Sequence, residues 1–454
     1  MESRKEKENL EFGENSKNTD NGSLREVASV SWPIVVSMLS YTAMGVTDTL
    51  FVGWIGTTEL AAVGLASTVF FLFNSFFFGS IHGVKVLAAQ ATGAKQHKLA
   101  ELAAWQGFFL AIPFGAAVIA LSSFSEGIFA LMGGTAAVQG MAAVYFGVRV
   151  WGAPFGYVAV AAGDYFQGIG DTKTPMKVNL FVNAANIVLD VVLIFGLGPI
   201  PAMGVHGAAL ATVIASALGM VLMSTRFVER VGFHAQLSLK VMEKVLRLGV
   251  PMGVRYVLNV AGFTVFTAIV ARMGEAALAA HQIAFKIISI SFLPGYGISE
   301  ATSILTGQYV GAGEPSHAKR SYRNAMKLSV GMMGVFGAVF WIFPEVLIGV
   351  FQSDPEVLRI GSQLLILAAL FQVFDAVAMT GIGALNGTGD TRFTMLMSVG
   401  CSWFIMVPTA YFFGVELGYG TTGAWVGIVF EVFALAIIAA WRFHSERWVR
   451  HSVV

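Results

Sequence analysis

The chain has 454 residues, of which 56% are hydrophobic and only 12% are charged, and its mean hydropathy is +0.71. Soluble domains carry about twice that charged fraction, so the composition excludes an ordinary soluble protein. A formal net charge of +1 gives no electrostatic basis for binding nucleic acid. The single cysteine, Cys401, excludes an internal disulfide.

Apolar stretches long enough to cross a membrane recur from Val27 to Arg442. A helix needs about 20 apolar residues to cross the hydrocarbon core of a bilayer. Dividing the stretches at loop signals predicts an all-α polytopic membrane protein with twelve transmembrane helices. The predicted segments are 26–53, 62–88, 99–122, 141–163, 173–197, 204–227, 243–272, 277–307, 319–343, 357–382, 392–416 and 420–443.

Polar segments flank and divide these spans. Residues 1–24 are polar and mixed in charge, without the apolar core of a signal peptide, and they predict a disordered tail. Residues 228–242 are predicted to form a linker, and 444–454 a second tail. Lys and Arg are absent from the odd-numbered loops and occur in the even-numbered ones. This bias predicts that both termini, both tails and the linker are cytoplasmic.

The two halves of the chain repeat each other. SWPIVVSM matches GVPMGVRY, QATGA matches QYVGA, and GIGDT matches GTGDT, all at separations of 218 or 219 residues. The paired positions are Pro33 with Pro251, Gln90 with Gln308, and Gly168 with Gly387. An even number of spans in each repeat gives both halves the same topology. The repeat predicts two pseudo-symmetric six-helix lobes, 25–227 and 243–443, with the substrate cavity between them.

These motifs, in this order and duplicated, resemble the multidrug and toxic compound extrusion (MATE) family. The resemblance rests on the WP opening, the aspartate before GWIGTTELAAVGL, the QATGA and QYVGAG loops and the two GxGDT loops, and it covers residues 26 to about 443. It implies a two-lobe antiporter that exports organic cations in exchange for protons or sodium ions, without a cofactor.

Asp48 lies within an apolar span, where a carboxylate costs roughly 2.5–3.5 kcal/mol on insertion scales. A tolerated intramembrane carboxylate normally faces a cavity or a partner, so Asp48 is a site candidate. The alternative is that it hydrogen bonds with Thr or Tyr and only holds helices together. Tyr41, in the same predicted helix, is expected to line the substrate cavity.

Helix five carries Asn179, Asn183, Asn186 and Asp190 at intervals of four, three and four, which places them on one face. Asn179 is expected to make an interhelical hydrogen bond. The others predict an oxygen-rich cluster with Asp48. Such a cluster suits sodium, and two neighbouring carboxylates equally suit proton uptake because their repulsion favours protonation of one of them.

The resemblance assigns the family's coupling residues to Asp48, Asn186 and Asp190. It also implies Thr212 of helix six as a further ligand. Sodium at Asp48, Asn186 and Asp190 and protons at the same carboxylates both remain open at this stage.

The C-terminal half carries Asp375, which matches the family's aspartate in helix ten. Asn259 stands where another branch of the family has a glutamate, and Arg255 lies one turn earlier. A permanently charged guanidinium needs a counter-ion in the membrane, which predicts an Arg255 to Asp375 pair. Alternatively, Arg255 extends to the cytoplasmic edge of the membrane.

Further ionisable residues in apolar segments are candidates for cavity ion pairs or for extension to the membrane surface: His82, Lys85, Arg149, Lys286, Glu300 and Glu431. No P-loop and no hydrolase or metalloprotease motif occurs, so the sequence predicts no enzyme. We therefore expect a monomeric transporter in the cell inner membrane that binds organic cations and lipid. A flippase for lipid-linked oligosaccharides is the alternative.

Overall fold

The computed structural model describes residues 21–448, and most of them lie in twelve helical spans, α1 to α12. The first six are α1 Leu24–Ile55, α2 Thr57–Ile81 and Gly83–Gly93, α3 His97–Leu121, α4 Ala136–Arg149 and Ala153–Gly168, α5 Lys173–Phe195 and α6 Gly204–Val231. The second six are α7 Leu239–Ala271, α8 Glu275–Gly311, α9 Pro315–Ile342, α10 Pro355–Gly387, α11 Thr391–Cys401 and Val407–Tyr411, and α12 Gly420–His444. No β-sheet occurs in this part of the chain.

Among the described residues, eleven spans are long and apolar enough to cross a membrane. The span outside these eleven is α4, in which the turn Val150–Gly152 lies between segments of 14 and 16 residues. In α11, the π-helical turn Ser402–Met406 lies between the two segments, and a second one, Phe412–Glu416, follows Tyr411. The predicted all-α membrane architecture with twelve helices is confirmed.

Each set of six helices surrounds its own apolar core. Phe146 and Tyr157 are fully buried in the core of the N-terminal lobe, α1 to α6. Phe266 and Trp425 are buried in the core of the C-terminal lobe, α7 to α12.

The lobes interlock because α1 and α7 each begin in the core of the opposite lobe. Val27, Val30 and Ile34 at the start of α1 pack in a core built from α8 to α12. Val245 and Leu248 at the start of α7 pack in the core of the N-terminal lobe. The two exchanged segments are related by the sequence repeat.

Glycines allow the backbones of α2 and α7 to touch. A Cβ added to Gly79 would lie 2.6 Å from Gly253 Cα, and one added to Gly249 would lie 1.7 Å from the Ser80 carbonyl oxygen. Only glycine permits so close an approach, so these positions fix how the first half of α7 sits against α2.

A second pair of contacts closes the lobes at the end where α2 and α8 terminate. Gln90 Nε2 donates a hydrogen bond to the Gly387 carbonyl oxygen at 3.0 Å. Gln308 Nε2 donates to the Gly168 carbonyl oxygen at 2.8 Å. Each glutamine therefore binds the GxGDT loop of the other lobe. We call these four residues the glutamine latch.

Two further glycines bring the same helix ends together. A Cβ on Gly93 would lie 1.8 Å from the Gln308 carbonyl oxygen, and a Cβ on Gly311 would lie 1.9 Å from the Gln90 carbonyl oxygen. Both contacts cross between the lobes. At this end of the molecule, where α2 and α8 terminate, the backbones of the two lobes are in direct contact.

The predicted tails fall largely outside the described residues, which leave out 1–20 and 449–454. Ser23 caps α1 by accepting a hydrogen bond from the Glu26 backbone N–H at 3.2 Å. At the other end, the Trp448 ring stacks on Phe443 with centroids 5.0 Å apart. Residues 232–238 join α6 to α7, within the segment predicted as the linker.

Candidate functional site

The polar face of α5 turns into the N-terminal lobe over most of its length. Asn186 is fully buried, Asp190 is 1% exposed and Asn183 is 6% exposed. Asn183 Nδ2 donates to Ser40 Oγ at 2.9 Å, which ties α5 to α1. Asn179 is exposed and has no hydrogen-bond partner among the described residues, so the expected interhelical bond of Asn179 is not found.

Asp48 of α1 meets Asp190 of α5 inside the lobe. The two carboxyl groups are close enough to hydrogen bond with each other when one of them carries a proton. Otherwise Asp48 Oδ1, both Asp190 oxygens and both polar side-chain atoms of Asn186 have no partner among residues 21–448. Buried polar atoms are normally paired, and several unpaired oxygens in one place indicate a site for a proton or a cation.

Two residues that the sequence analysis did not assign to this cluster lie beside it. Tyr145 of α4 is buried close to both carboxylates, and Arg149 lies one turn further along. The Arg149 guanidinium stands over the Phe70 ring at 4.2 Å and makes no ion pair with Asp48. Their four-residue spacing on one face of α4 is the only sequence signal that connects them.

Thr212 and Tyr41 are less closely joined to the cluster. Thr212 is half-buried, and its hydroxyl donates to the Ala208 carbonyl oxygen of its own helix at 3.0 Å. Because the Thr212 hydroxyl acts as the donor in this bond, its oxygen retains lone pairs that can bind a cation. Tyr41 is 63% exposed on α1, and its role in lining the substrate cavity stays a prediction.

The predicted pair of Arg255 with Asp375 is wrong. The Arg255 guanidinium stands over the Tyr256 ring at 5.3 Å, and no carboxylate among the described residues pairs with it. Arg255 follows Gly253, which abuts α2, and this contact holds Arg255 at the boundary between the lobes and away from α10.

Asp375 instead has an acidic neighbour. Its Oδ2 and the Oδ1 of Asn259 have no hydrogen-bond partner within residues 21–448. Glu431 of α12 is near enough for electrostatic repulsion with Asp375. The C-terminal lobe therefore holds two carboxyl groups from α10 and α12.

The remaining ionisable candidates separate into two kinds. Lys286 is exposed on α8, as expected for a side chain that extends to the surface. Lys85 of α2, in contrast, is buried and contacts Glu300 of α8 across the boundary between the lobes.

Comparison with known proteins gives consistent results. The MatE family model matches residues 33–192 and again 251–412, once in each lobe. A curated relative from Thermotoga maritima, described as a probable multidrug resistance protein NorM, is 30% identical over 438 residues and covers 95% of this chain and 94% of its own length. The multidrug resistance protein NorM of Burkholderia vietnamiensis is also 30% identical, over 93% of this chain and 94% of its own.

Solved structures have the same fold. One, described as the outward-facing conformation of a multidrug resistance MATE family transporter of the MOP superfamily, superposes with a TM-score of 0.85 over 95% of this chain and 99% of its own, at 22% identity. Another, a MOP superfamily transporter from Pyrococcus furiosus, has a TM-score of 0.85 at 22% identity over 95% of this chain and 98% of its own.

Proposed function

Since this chain belongs to the MatE family, we propose that it is a multidrug efflux transporter of the cell inner membrane. It works as a secondary active antiporter, exporting organic cations in exchange for protons or sodium ions by alternating access of the two lobes. The observation that carries the proposal is the Asp48 and Asp190 pair inside the lobe, which Arg149 is near enough to attract but with which no basic side chain among the described residues forms an ion pair.

The pair supports antiport because it can be neutralised in two ways. With both carboxyl groups ionised, their two negative charges exceed the single positive charge of the nearby Arg149, and the excess attracts an organic cation. A proton on either carboxyl, or sodium held by Asp48, Asn186 and Asp190, removes that charge. Substrate and coupling ion therefore compete for one negative field, and this competition is the free-energy coupling that exchange requires.

Protons are the favoured coupling ion. Two carboxyl groups are enough to take up a proton. A sodium ion would need the side-chain oxygens of Asp48, Asn186, Asp190 and Thr212 to surround it together, and the Thr212 hydroxyl is bonded within its own helix. Loss of the repulsion between the two acids allows α1 to bend near Gly45, which has no neighbouring atom within 4 Å of an added Cβ.

Purified protein in liposomes tests the proposal with ethidium as substrate and one imposed gradient at a time. We expect ethidium transport driven by a pH gradient with sodium equal on both sides. Transport driven by sodium alone, with pH equal on both sides, would assign the coupling to sodium. Ethidium transport under neither gradient, together with movement of a lipid-linked oligosaccharide, would replace this proposal by a flippase.

A further inference from the structure

A second group of ionisable side chains lies where the two lobes meet, apart from the Asp48 cluster. Lys85 contacts Glu300 through its Nζ, and the same atom lies 4.0 Å from Asp164 Oδ1. His82 Nδ1 lies 2.9 Å from Asp164 Oδ2. Only 3% of the Lys85 side chain and 14% of the Glu300 side chain are exposed. The charged groups of Lys85 and Glu300 therefore have little contact with water.

The group is divided unequally between the lobes. His82 and Lys85 belong to α2 and Asp164 to α4, all in the N-terminal lobe, while Glu300 alone belongs to the C-terminal lobe. When the lobes separate, Lys85 keeps Asp164 as its counter-ion. Glu300 loses its one ion-pair partner among residues 21–448. Glu300 then faces the opening between the lobes as a carboxylate without an ion-pair partner, and its negative charge attracts a cation to the place of Lys85.

No basic group of the C-terminal lobe already occupies that place. Arg255 is near enough to attract Glu300 but is not in ion-pair contact with it. Two tyrosines stand between α7 and α8 beside the carboxylate, and the Tyr256 and Tyr296 hydroxyl groups hydrogen bond with each other. Tyr296 precedes Glu300 by four residues and so shares its helix face. A carboxylate next to aromatic rings is the chemistry that receives an organic cation.

The position of this group suits the loading of substrate. Glu300 lies eleven residues before Gly311 and Lys85 eight residues before Gly93, about 16 and 12 Å along their helices from the latch end. Charge distribution in the loops assigns that end to the cytoplasm. A cation that entered from the cytoplasm between opened lobes would meet Glu300 before reaching Asp48.

We propose that Glu300 receives the cationic group of the substrate when the lobes open to the cytoplasm, and that the Lys85 ammonium occupies the same carboxylate when they close. This inference rests on the proposed function. Glu300 then holds one cation at a time. The return of Lys85 displaces the substrate from Glu300 and leaves it free to move toward the N-terminal lobe.

The test measures ethidium uptake into inside-out vesicles under the gradient that drives the wild type, with KM and kcat determined separately. Glu300→Gln is expected to raise KM about tenfold, as for the loss of one charge-assisted contact, with a smaller change in kcat. Lys85→Met leaves Glu300 without its competitor, so both KM and kcat should fall because ethidium binds more tightly and leaves slowly. Glu275→Gln, an exposed change on the same helix, is the matched control.

A gate with no contact to substrate would behave differently. Either single change would break the same ion pair, and both would then shift kcat alike without moving KM in opposite directions. That result overturns the inference. Lys85→Met/Glu300→Gln removes both charges of the pair, so Glu300 is not left as an unpaired carboxylate, and Asp164 keeps its contact with His82. This variant keeps the test informative if Lys85→Met does not fold. The double variant should show the raised KM of Glu300→Gln, and a wild-type KM would contradict the proposal.

Failure of this inference can be separated from failure of the proposed function. If the wild type moves no ethidium under either gradient, the proposed function itself fails. If the wild type transports ethidium and Glu300→Gln keeps the wild-type KM, only the role of Glu300 is lost.

Discussion

Asp48 and Asp190 bring two carboxyl groups together in the N-terminal lobe, and no Lys, Arg or His of residues 21–448 forms an ion pair with either. Ionisable residues in membrane helices normally pair with one another or face a cavity. Arg149 is near enough to attract Asp48 but can balance only one of the two negative charges. In the proposed mechanism a proton or a transported cation balances the other, which would make the pair sensitive to both.

Changing either acid to its amide should abolish transport while the protein stays folded. Asp48→Asn and Asp190→Asn keep the size of the side chain but remove the charge proposed to attract substrate and the carboxyl group proposed to bind the proton. We expect ethidium resistance in a pump-deficient bacterium to fall to the vector background at equal expression. Asn179→Ala, on the exposed part of α5, should keep wild-type resistance. Resistance at the wild-type level in Asp48→Asn would remove that residue from the mechanism.

Adding one methyl group at the closed end should hold the lobes apart. Gly93→Ala and Gly311→Ala place a Cβ less than 2 Å from a backbone carbonyl oxygen of the other lobe. Full closure is then sterically excluded, and we expect transport to drop at least tenfold with normal membrane insertion. Gly64→Ala, in the same span as Gly93 but with no atom within 4 Å of its Cβ, is the control. Equal activity of Gly93→Ala and Gly64→Ala would show that this contact is not part of the cycle.

The two hydrogen bonds of the glutamine latch should stabilise the closed state by similar and independent amounts of free energy. Removing one hydrogen bond costs about 1 kcal/mol, so Gln90→Ala and Gln308→Ala should each shift the ratio of closed to open molecules about fivefold. Spin labels on cysteines at the exposed positions 98 and 316, in a Cys401→Ser background, report the distance between the lobes. The double variant should show the sum of the two shifts. A large effect of one glutamine and none of the other would contradict equal contributions.

In the C-terminal lobe, we expect substitutions of Asp375 and Glu431 to affect the melting temperature jointly, and substitutions of Asp375 and Arg255 to affect it independently. Asp375→Asn and Glu431→Gln should each raise the melting temperature in detergent because each relieves the repulsion between two buried acids. In the double variant, the second substitution should raise the melting temperature by less than it does alone. Arg255→Met and Asp375→Asn should instead be additive, since the two residues do not touch. Strong coupling between Arg255 and Asp375 would restore the original pairing.

Sequence periodicity could predict which face of α5 carries the polar side chains, but not how much of that face is covered by other helices. Asn179 and Asp190 differ by about 20° around the helix axis, so a shared face was the correct inference. Asn179 is nevertheless exposed. The first turns of α1 leave the N-terminal lobe and pack in the other lobe, and they no longer cover that part of α5. Which helix lies beside which is decided by packing over the whole chain.

The partner of Arg255 could not be predicted for the same reason. A buried guanidinium needs a favourable environment, and Asp375 was the carboxylate in the same lobe that the sequence analysis paired with Arg255. The glycine contacts of α7 with α2 decide otherwise, because they hold Arg255 at the boundary between the lobes and beside Tyr256. By contrast, the cost of placing a carboxylate in an apolar span was enough to single out Asp48 as a candidate.

The exchange of the first turns of α1 and α7 has the geometry of a domain-swapped dimer contained in one chain. Its latch is isologous, since each half supplies the same donor and the same acceptor to the other, as the subunits of a two-fold dimer do. Neither half completes its own core without the arm of its neighbour. The two halves, produced as separate polypeptides divided within residues 232–238, should therefore find each other in the membrane and assemble, while either half alone exposes an unfilled core.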